Sequence, residues 1–167
     1  MRKLLFIWLV GVLVSLFESC SEPRQVKYVF YFIGDGMGVN QVNGTEMYLA
    51  ELDSVVEVKG LNFASFPIRN YVTTYSSYNG VTCSAAAGTV LATGEKTKNG
   101  TIGMDKEQKV PLYSVAVRAK EAGRKVGIIT SVGMNHATPA AFYGHQPRRT
   151  MYFELGKDAI KAGFDLY

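Results

Sequence analysis

Val26-Lys-Tyr-Val-Phe-Tyr-Phe-Ile33 is an almost continuous apolar and aromatic run, and a strand of that composition needs cover on both faces. It therefore predicts a central strand of a layered domain, not the edge of an open sheet. Gly34-Asp-Gly-Met-Gly38 breaks the run, and Val39 to Leu52 reads as a helix. Tyr71-Val-Thr-Thr-Tyr75 alternates like a strand, while Ala85 to Thr93 is small and Ala-rich, which predicts a helix. Pro111 is placed to open a helix over Leu112 to Ala122, with Gly123 as its stop. Lys125-Val-Gly-Ile-Ile-Thr130 is the next expected buried strand, and Met151 to Ala162 a further helix ending at Gly163. Between them, Gly60 to Pro67 reads as an irregular connector with Leu61 and Phe63 packed on the core, and Lys98 to Asp105 as a loop. Strand and helix patterns alternate throughout, without internal repeat or low-complexity linker. The expected fold class is α/β, a largely parallel sheet with helices on both faces.

The 167 residues are 47% hydrophobic and 19% charged, ordinary for one globular domain. The net charge of +4 is carried by scattered basic residues, which leaves no nucleic-acid footprint. Arg2-Lys3, the apolar run Leu4 to Phe17 and then Glu18-Ser19-Cys20 have the charged start and apolar centre of a secretory signal. The Ser-Cys ending resembles a bacterial lipoprotein signal, in which Cys20 becomes the lipidated first residue. Simple cleavage and an uncleaved anchor are the alternatives. The expected organisation is a signal peptide at residues 1–19, a short linker at 20–25 and one domain at 26–167, exported to a bacterial periplasm or held at a membrane through Cys20. Cys83 is then the only cysteine of the mature domain, so no internal disulfide is expected.

Chemistry concentrates where these patterns break. Ser84 falls at or next to a helix N-terminus, where backbone N–H groups lack helical partners and the helix dipole favours an anion. Asp35, between glycines at the end of the first strand, lies where open α/β sheets place ligands. Asn135-His-Ala-Thr-Pro-Ala-Ala follows a later strand, and there His136 and Thr138 are placed to reach a metal or a water bound to it. Arg149 offers a planar fork for an oxyanion. Each residue alone also fits a plainer role: Ser84 an N-cap, Asp35 a turn residue, His136 a structural histidine, Arg148 and Arg149 a solvated pair. His145 is read as structural. A Gly-x-x-x-x-Gly-Lys-Ser/Thr loop and a Gly-x-Ser-x-Gly elbow are both missing, so nucleotide-binding P-loops and α/β-hydrolases are not supported.

Taken together and in order, Asp-Gly-Met-Gly, Val-Thr-Cys-Ser-Ala-Ala-Ala-Gly-Thr with Ala-Thr-Gly beyond it, Asn-Gly-Thr-Ile-Gly-Met-Asp, and Asn-His-Ala-Thr-Pro-Ala-Ala with an arginine soon after His145 resemble the alkaline phosphatase family. The resemblance covers nearly all of residues 28–167. It implies a phosphate monoester substrate, two zinc ions and a magnesium ion, and in the intact protein a homodimer. Asp35 matches the aspartate that bridges a zinc and the magnesium site. Ser84 matches the nucleophile, which binds the same zinc and becomes phosphoserine before water releases phosphate. Thr138 matches a magnesium-binding hydroxyl, and His136 a position that touches that site directly or through water. Arg149 matches the arginine that clamps the non-bridging phosphate oxygens.

Cys83 stands where many members carry an aspartate that helps orient that arginine. Members also run to well over twice this length, and the residues that supply most zinc ligands and complete the magnesium site lie in their later portion. The expected fold is therefore an alkaline phosphatase architecture incomplete on its C-terminal side, with little turnover by these residues alone. Alternatives are a relative acting on diesters, sulfates or phosphonates, and a non-catalytic, lipid-anchored module that binds an anion.

Overall fold

A computed structural model describes residues 26–58 and 60–167. The expected signal peptide, Cys20 and the linker lie outside the described residues. The chain divides into two units, Met1–Gly34 and Asp35–Tyr167.

In the first unit, residues 26–34 carry neither helix nor ladder. Phe30 and Phe32 are 78% and 88% exposed, so the expected buried central strand is not formed. A strand gains burial only from neighbours that pair with it and helices that cover it, and among the described residues no strand pairs with this run.

The second unit is built from five helices among the described residues: α1 Val39–Leu52, α2 Ser84–Thr93, α3 Val115–Glu121, α4 Ala137–Ala140 and α5 Tyr152–Ala162. The helix expected from Val39 to Leu52 forms with those bounds, started by the Gln41 side chain accepting from the Gly38 N–H at 3.0 Å. α2 and α5 end at Gly94 and Gly163, both left-handed, the conformation glycine adopts without steric cost at a helix end. α3 is shorter than expected. Pro111 does not open it, because that residue pairs with Met104 in an antiparallel bridge. The helix instead starts three residues later, where the Ser114 hydroxyl accepts from the Val117 N–H at 3.1 Å.

The largely parallel sheet is not present among the described residues. Pairing there is limited to the isolated bridges Ile102 with Gln146, Met104 with Pro111, and Gly127 with Leu166, the last of them parallel. Residues 71–75 have no ladder, with Tyr71 and Val72 exposed. Residues 125–130 are buried on one side only: Val126 and Ile128 pack on the core, while Ile129 is 86% exposed. Asp165 pins this segment, accepting from the Val126 N–H at 2.9 Å and from Lys125 and Lys120 at 2.9 and 3.0 Å. Those three contacts hold its carboxyl well below the usual carboxylate range. The connector after α1 contains a 3-10 turn, Asn62–Ser65. Leu61 and Phe63 line a shallow pocket with Leu49 of α1 and take no part in the main core.

That core joins Ala85 of α2, Ala137 and Ala140 of α4 and Leu155 of α5 with Ile102, Tyr143 and Phe164. α2 and α4 approach closely because position 88 has no side chain. A Cβ on Gly88 would stand 3.0 Å from the Ala141 Cβ and 3.5 Å from the Thr138 Cα. The loop over residues 98–105, expected from its turn signals, closes the other side of α2. Thr89 Oγ1 donates to the Ala85 carbonyl at 2.8 Å and accepts from the Gly103 N–H at 3.0 Å. Gly103 itself has φ +55, and a Cβ there would lie 2.0 Å from the Gly144 carbonyl oxygen, so only glycine fits.

Candidate functional site

Ser84 is the first residue of α2, preceded by Cys83 at the cap position with no side-chain cap bond. Its hydroxyl is therefore not spent on the helix, as an ordinary N-cap serine's would be. It donates to Asp35 Oδ1 at 3.2 Å, while Thr138 Oγ1 donates to Asp35 Oδ2 at 2.9 Å. Asp35 thus receives one alcohol on each carboxylate oxygen, from residues 49 and 103 positions away along the chain. Its own placement comes from the turn ahead of α1, where Gly36 takes φ +71 and the Gly38 N–H donates to the Gly36 carbonyl at 3.2 Å. Three of the five sequence-derived site residues therefore meet.

His136 caps the short α4 that carries Thr138, and its half-buried ring stacks on Tyr152 with centroids 6.0 Å apart. Arg149 is half-buried whereas Arg148 is exposed, so the two are not an equivalent solvated pair. The Arg149 N–H donates to the Gly100 carbonyl at 2.7 Å. Beside it, the Gly100 N–H donates to Cys83 Sγ at 3.1 Å. Burial pushes the Cys83 thiol up, but N–H groups of Ala86, Gly100 and Ala85, together with the Arg149 charge, outweigh it and hold the thiol below its ordinary value. The same amides and guanidinium make this end of α2 favourable for any anion. His145 is structural: its Nδ1 lies 2.8 Å from the Gly103 carbonyl and its N–H donates to Asp158 at 3.1 Å.

A carboxylate and two hydroxyls form an all-oxygen donor set. That suits magnesium, which takes oxygen ligands and usually keeps several waters. Zinc normally takes about four ligands with His, Cys or carboxylate prominent, and among the described residues no group of three or more His, Cys, Asp or Glu side chains converges. The residues present thus fit a magnesium site and supply only part of a zinc site.

Residues that shape this site without a chemical motif escape sequence reasoning. Asn99 is one: its Oδ1 accepts from the Cys83 N–H at 3.1 Å and its Nδ2 donates to the Val81 carbonyl at 2.9 Å. Gln108 is another, its Nε2 donating to Thr101 Oγ1 at 2.8 Å and to the Pro147 carbonyl at 2.6 Å. The turn signals around Asn99-Gly100 mark a loop but say nothing of what the loop holds.

Comparison with known proteins identifies a family. The alkaline phosphatase family profile matches residues 26–164. Alkaline phosphatase 4 of Drosophila melanogaster is 32% identical over 152 residues, covering 86% of this chain and 26% of the fly protein. Among solved structures, a cold-active alkaline phosphatase from Shewanella sp. superposes with TM-score 0.71 at 34% identity, over 80% of this chain and 33% of that one. A histidine-to-aspartate variant of the alkaline phosphatase from the Antarctic bacterium TAB5, with magnesium bound, gives TM-score 0.61 at 28% identity, over 70% of this chain and 34% of that one. The chain thus spans about a quarter to a third of the length of these relatives. With the family profile matched over most of its length, this chain belongs to the alkaline phosphatase family.

Proposed function

We propose that a full-length protein containing this sequence is a metal-dependent phosphomonoesterase that works through a phosphoserine on Ser84. The observation that carries this reading is the carboxylate of Asp35 held between the hydroxyls of Ser84 and Thr138. A serine hydroxyl is a weak nucleophile at neutral pH and needs a base or a cation to favour its alkoxide. Among the described residues Ser84 Oγ has its hydrogen bond to a carboxylate and none to a histidine, which speaks for the cation. Asp35, Thr138 and His136 would hold magnesium, with Asp35 and Ser84 offering two of the ligands of a zinc. Bound metal would supply Lewis-acid stabilisation of the attacking and leaving oxygens.

The chain's own residues do the rest. Ser84 Oγ gives up its proton and attacks phosphorus in line with the ester oxygen, the P–O bond to the alcohol breaks, and the leaving alkoxide takes up a proton. The N-terminal amides of α2 and the Arg149 guanidinium bind the equatorial oxygens. Water then attacks phosphorus from the face the alcohol has left, opposite Ser84 Oγ, the P–Oγ bond breaks with release of phosphate, and Ser84 Oγ takes up a proton.

The protein is read as exported, with residues 1–19 as signal, residues 20–25 as linker, Cys20 as the candidate lipid anchor and residues 26–167 as the start of the phosphatase domain. The parallel sheet is assigned to the full-length fold, where residues 26–33 and 71–75 would find partners. The 167 residues alone are read as turning over little substrate, since about two zinc ligands do not close a zinc site. The deciding experiment uses the full-length protein with a generic phosphomonoester and acid quenching, followed by mass spectrometry. Phosphate on the peptide containing Ser84, and a fall in kcat of about a thousandfold or more in Ser84→Ala, are expected. Full activity in that variant overturns the reading.

A further inference from the structure

Residues Asn99 and Gly100 touch both halves of the phosphate site at once. On one side, the Asn99 amide spans the turn that leads into Ser84, accepting from the Cys83 N–H at 3.1 Å and donating to the Val81 carbonyl at 2.9 Å, while the Gly100 N–H reaches Cys83 Sγ at 3.1 Å. On the other, the Gly100 carbonyl accepts from the Arg149 N–H at 2.7 Å. Two residues later, Ile102 and Gln146 exchange backbone bonds of 3.0 Å each, and Gln108 ties Thr101 to the Pro147 carbonyl. The backbone that carries the guanidinium is thus anchored to the same dipeptide that anchors the backbone carrying the nucleophile. The Cys83 side chain does not cap α2, and Arg149 follows the exposed Arg148 in a segment outside the helices.

We propose that Asn99 is a positioning residue that sets the spacing between Ser84 and Arg149, so that one phosphate meets the helix N-terminus and the guanidinium together. This rests on the phosphomonoesterase reading for its chemistry, but its geometric claim stands apart. With the Asn99 amide gone, the Val81–Cys83 turn loses its two side-chain bonds. Gly100 then shifts with Cys83, and the Arg149 amide loses its partner. An asparagine is suited to this role because one planar group donates and accepts at the same time. Aspartate at this position keeps the acceptor for Cys83 and loses the donor for Val81.

The test measures amide hydrogen exchange by residue in the chain as it stands, with inorganic phosphate binding followed by calorimetry in parallel. In Asn99→Ala, exchange at Cys83 and Arg149 is expected to quicken roughly tenfold, the scale of one lost hydrogen bond, while Leu155 in the core keeps its wild-type protection. Unchanged exchange at Arg149 overturns the proposal. If Asn99→Ala loosens Leu155 as well, Asn99→Asp decides: a carboxylate oxygen then faces the Val81 carbonyl, so faster exchange at Arg149 with Leu155 still protected is expected, and unchanged exchange at Arg149 overturns the proposal. For phosphate, Asn99→Ala and Arg149→Ala are expected to weaken binding by similar factors, with the double variant no weaker than either. Additive losses would mean that the two act independently and would sink the proposal. No phosphate binding by the wild-type chain would count against the phosphatase reading of these residues, and the exchange result would still decide the role of Asn99.

Discussion

Cys83 sits at the cap of α2, one residue before Ser84 and within the field of Arg149. Its sulfur accepts from the Gly100 N–H, and sulfur is a weak acceptor, where a carboxylate would accept more strongly from amides of the first helical turn. Aspartate at this position would therefore stiffen the start of α2 and give the guanidinium a fixed anionic neighbour. In a full-length enzyme, Cys83→Asp is expected to let inorganic phosphate inhibit at a concentration lower by about fivefold, on the scale of one well-oriented charge-assisted bond. Unchanged inhibition would show that Arg149 is already held as firmly as it needs to be. Asp35, Ser84 and Thr138, which the structure brings together, could be singled out from the sequence because each stands in a recognisable local motif. Asn99 and Gln108 could not, because an amide in a loop has no chemistry of its own until its partners are known.

Among elements, those whose signals are local came out close to their expected bounds. Left-handed glycines end α2 and α5 at positions 94 and 163, and the run from Val39 to Leu52 is a single helix. α3 starts at the Ser114 cap and not at the expected Pro111, because the serine hydroxyl satisfies an unpaired helical amide. Strands could not be settled in this way, since pairing depends on residues distant in sequence. The contact that matters most to the site is α2 against α4, which sets Thr138 beside the helix carrying Ser84. It depends on Gly88, whose added Cβ would press on Ala141 at 3.0 Å. Gly88→Val places a branched side chain in that gap and is expected to cost about 1–3 kcal/mol by overpacking. A denaturant midpoint equal to wild type would show that α4 yields freely and that the site does not depend on this approach.

For the whole molecule, the site and the fold differ in completeness. Asp35, Ser84 and Thr138 are drawn together by packing within one unit. Yet Val29, Phe30, Phe32, Tyr71, Val72 and Ile129 remain 78% or more exposed, in runs whose composition suits buried strands. Apolar patches of that kind carry an unfavourable hydration energy of about 25 cal/mol per Å² until something covers them. Catalysis asks for more than a well-aimed alcohol, because a serine at neutral pH needs a base or a cation to favour its alkoxide and the described residues bring together no three of the side chains that zinc favours. Purified residues 20–167 are therefore expected to hydrolyse a generic phosphomonoester no faster than the Ser84→Ala variant of the same chain, with or without added zinc and magnesium. They are also expected to bind a hydrophobic dye strongly. Metal-dependent turnover abolished by Ser84→Ala would show instead that the three oxygens around Asp35, with water completing the coordination, already suffice to activate the serine.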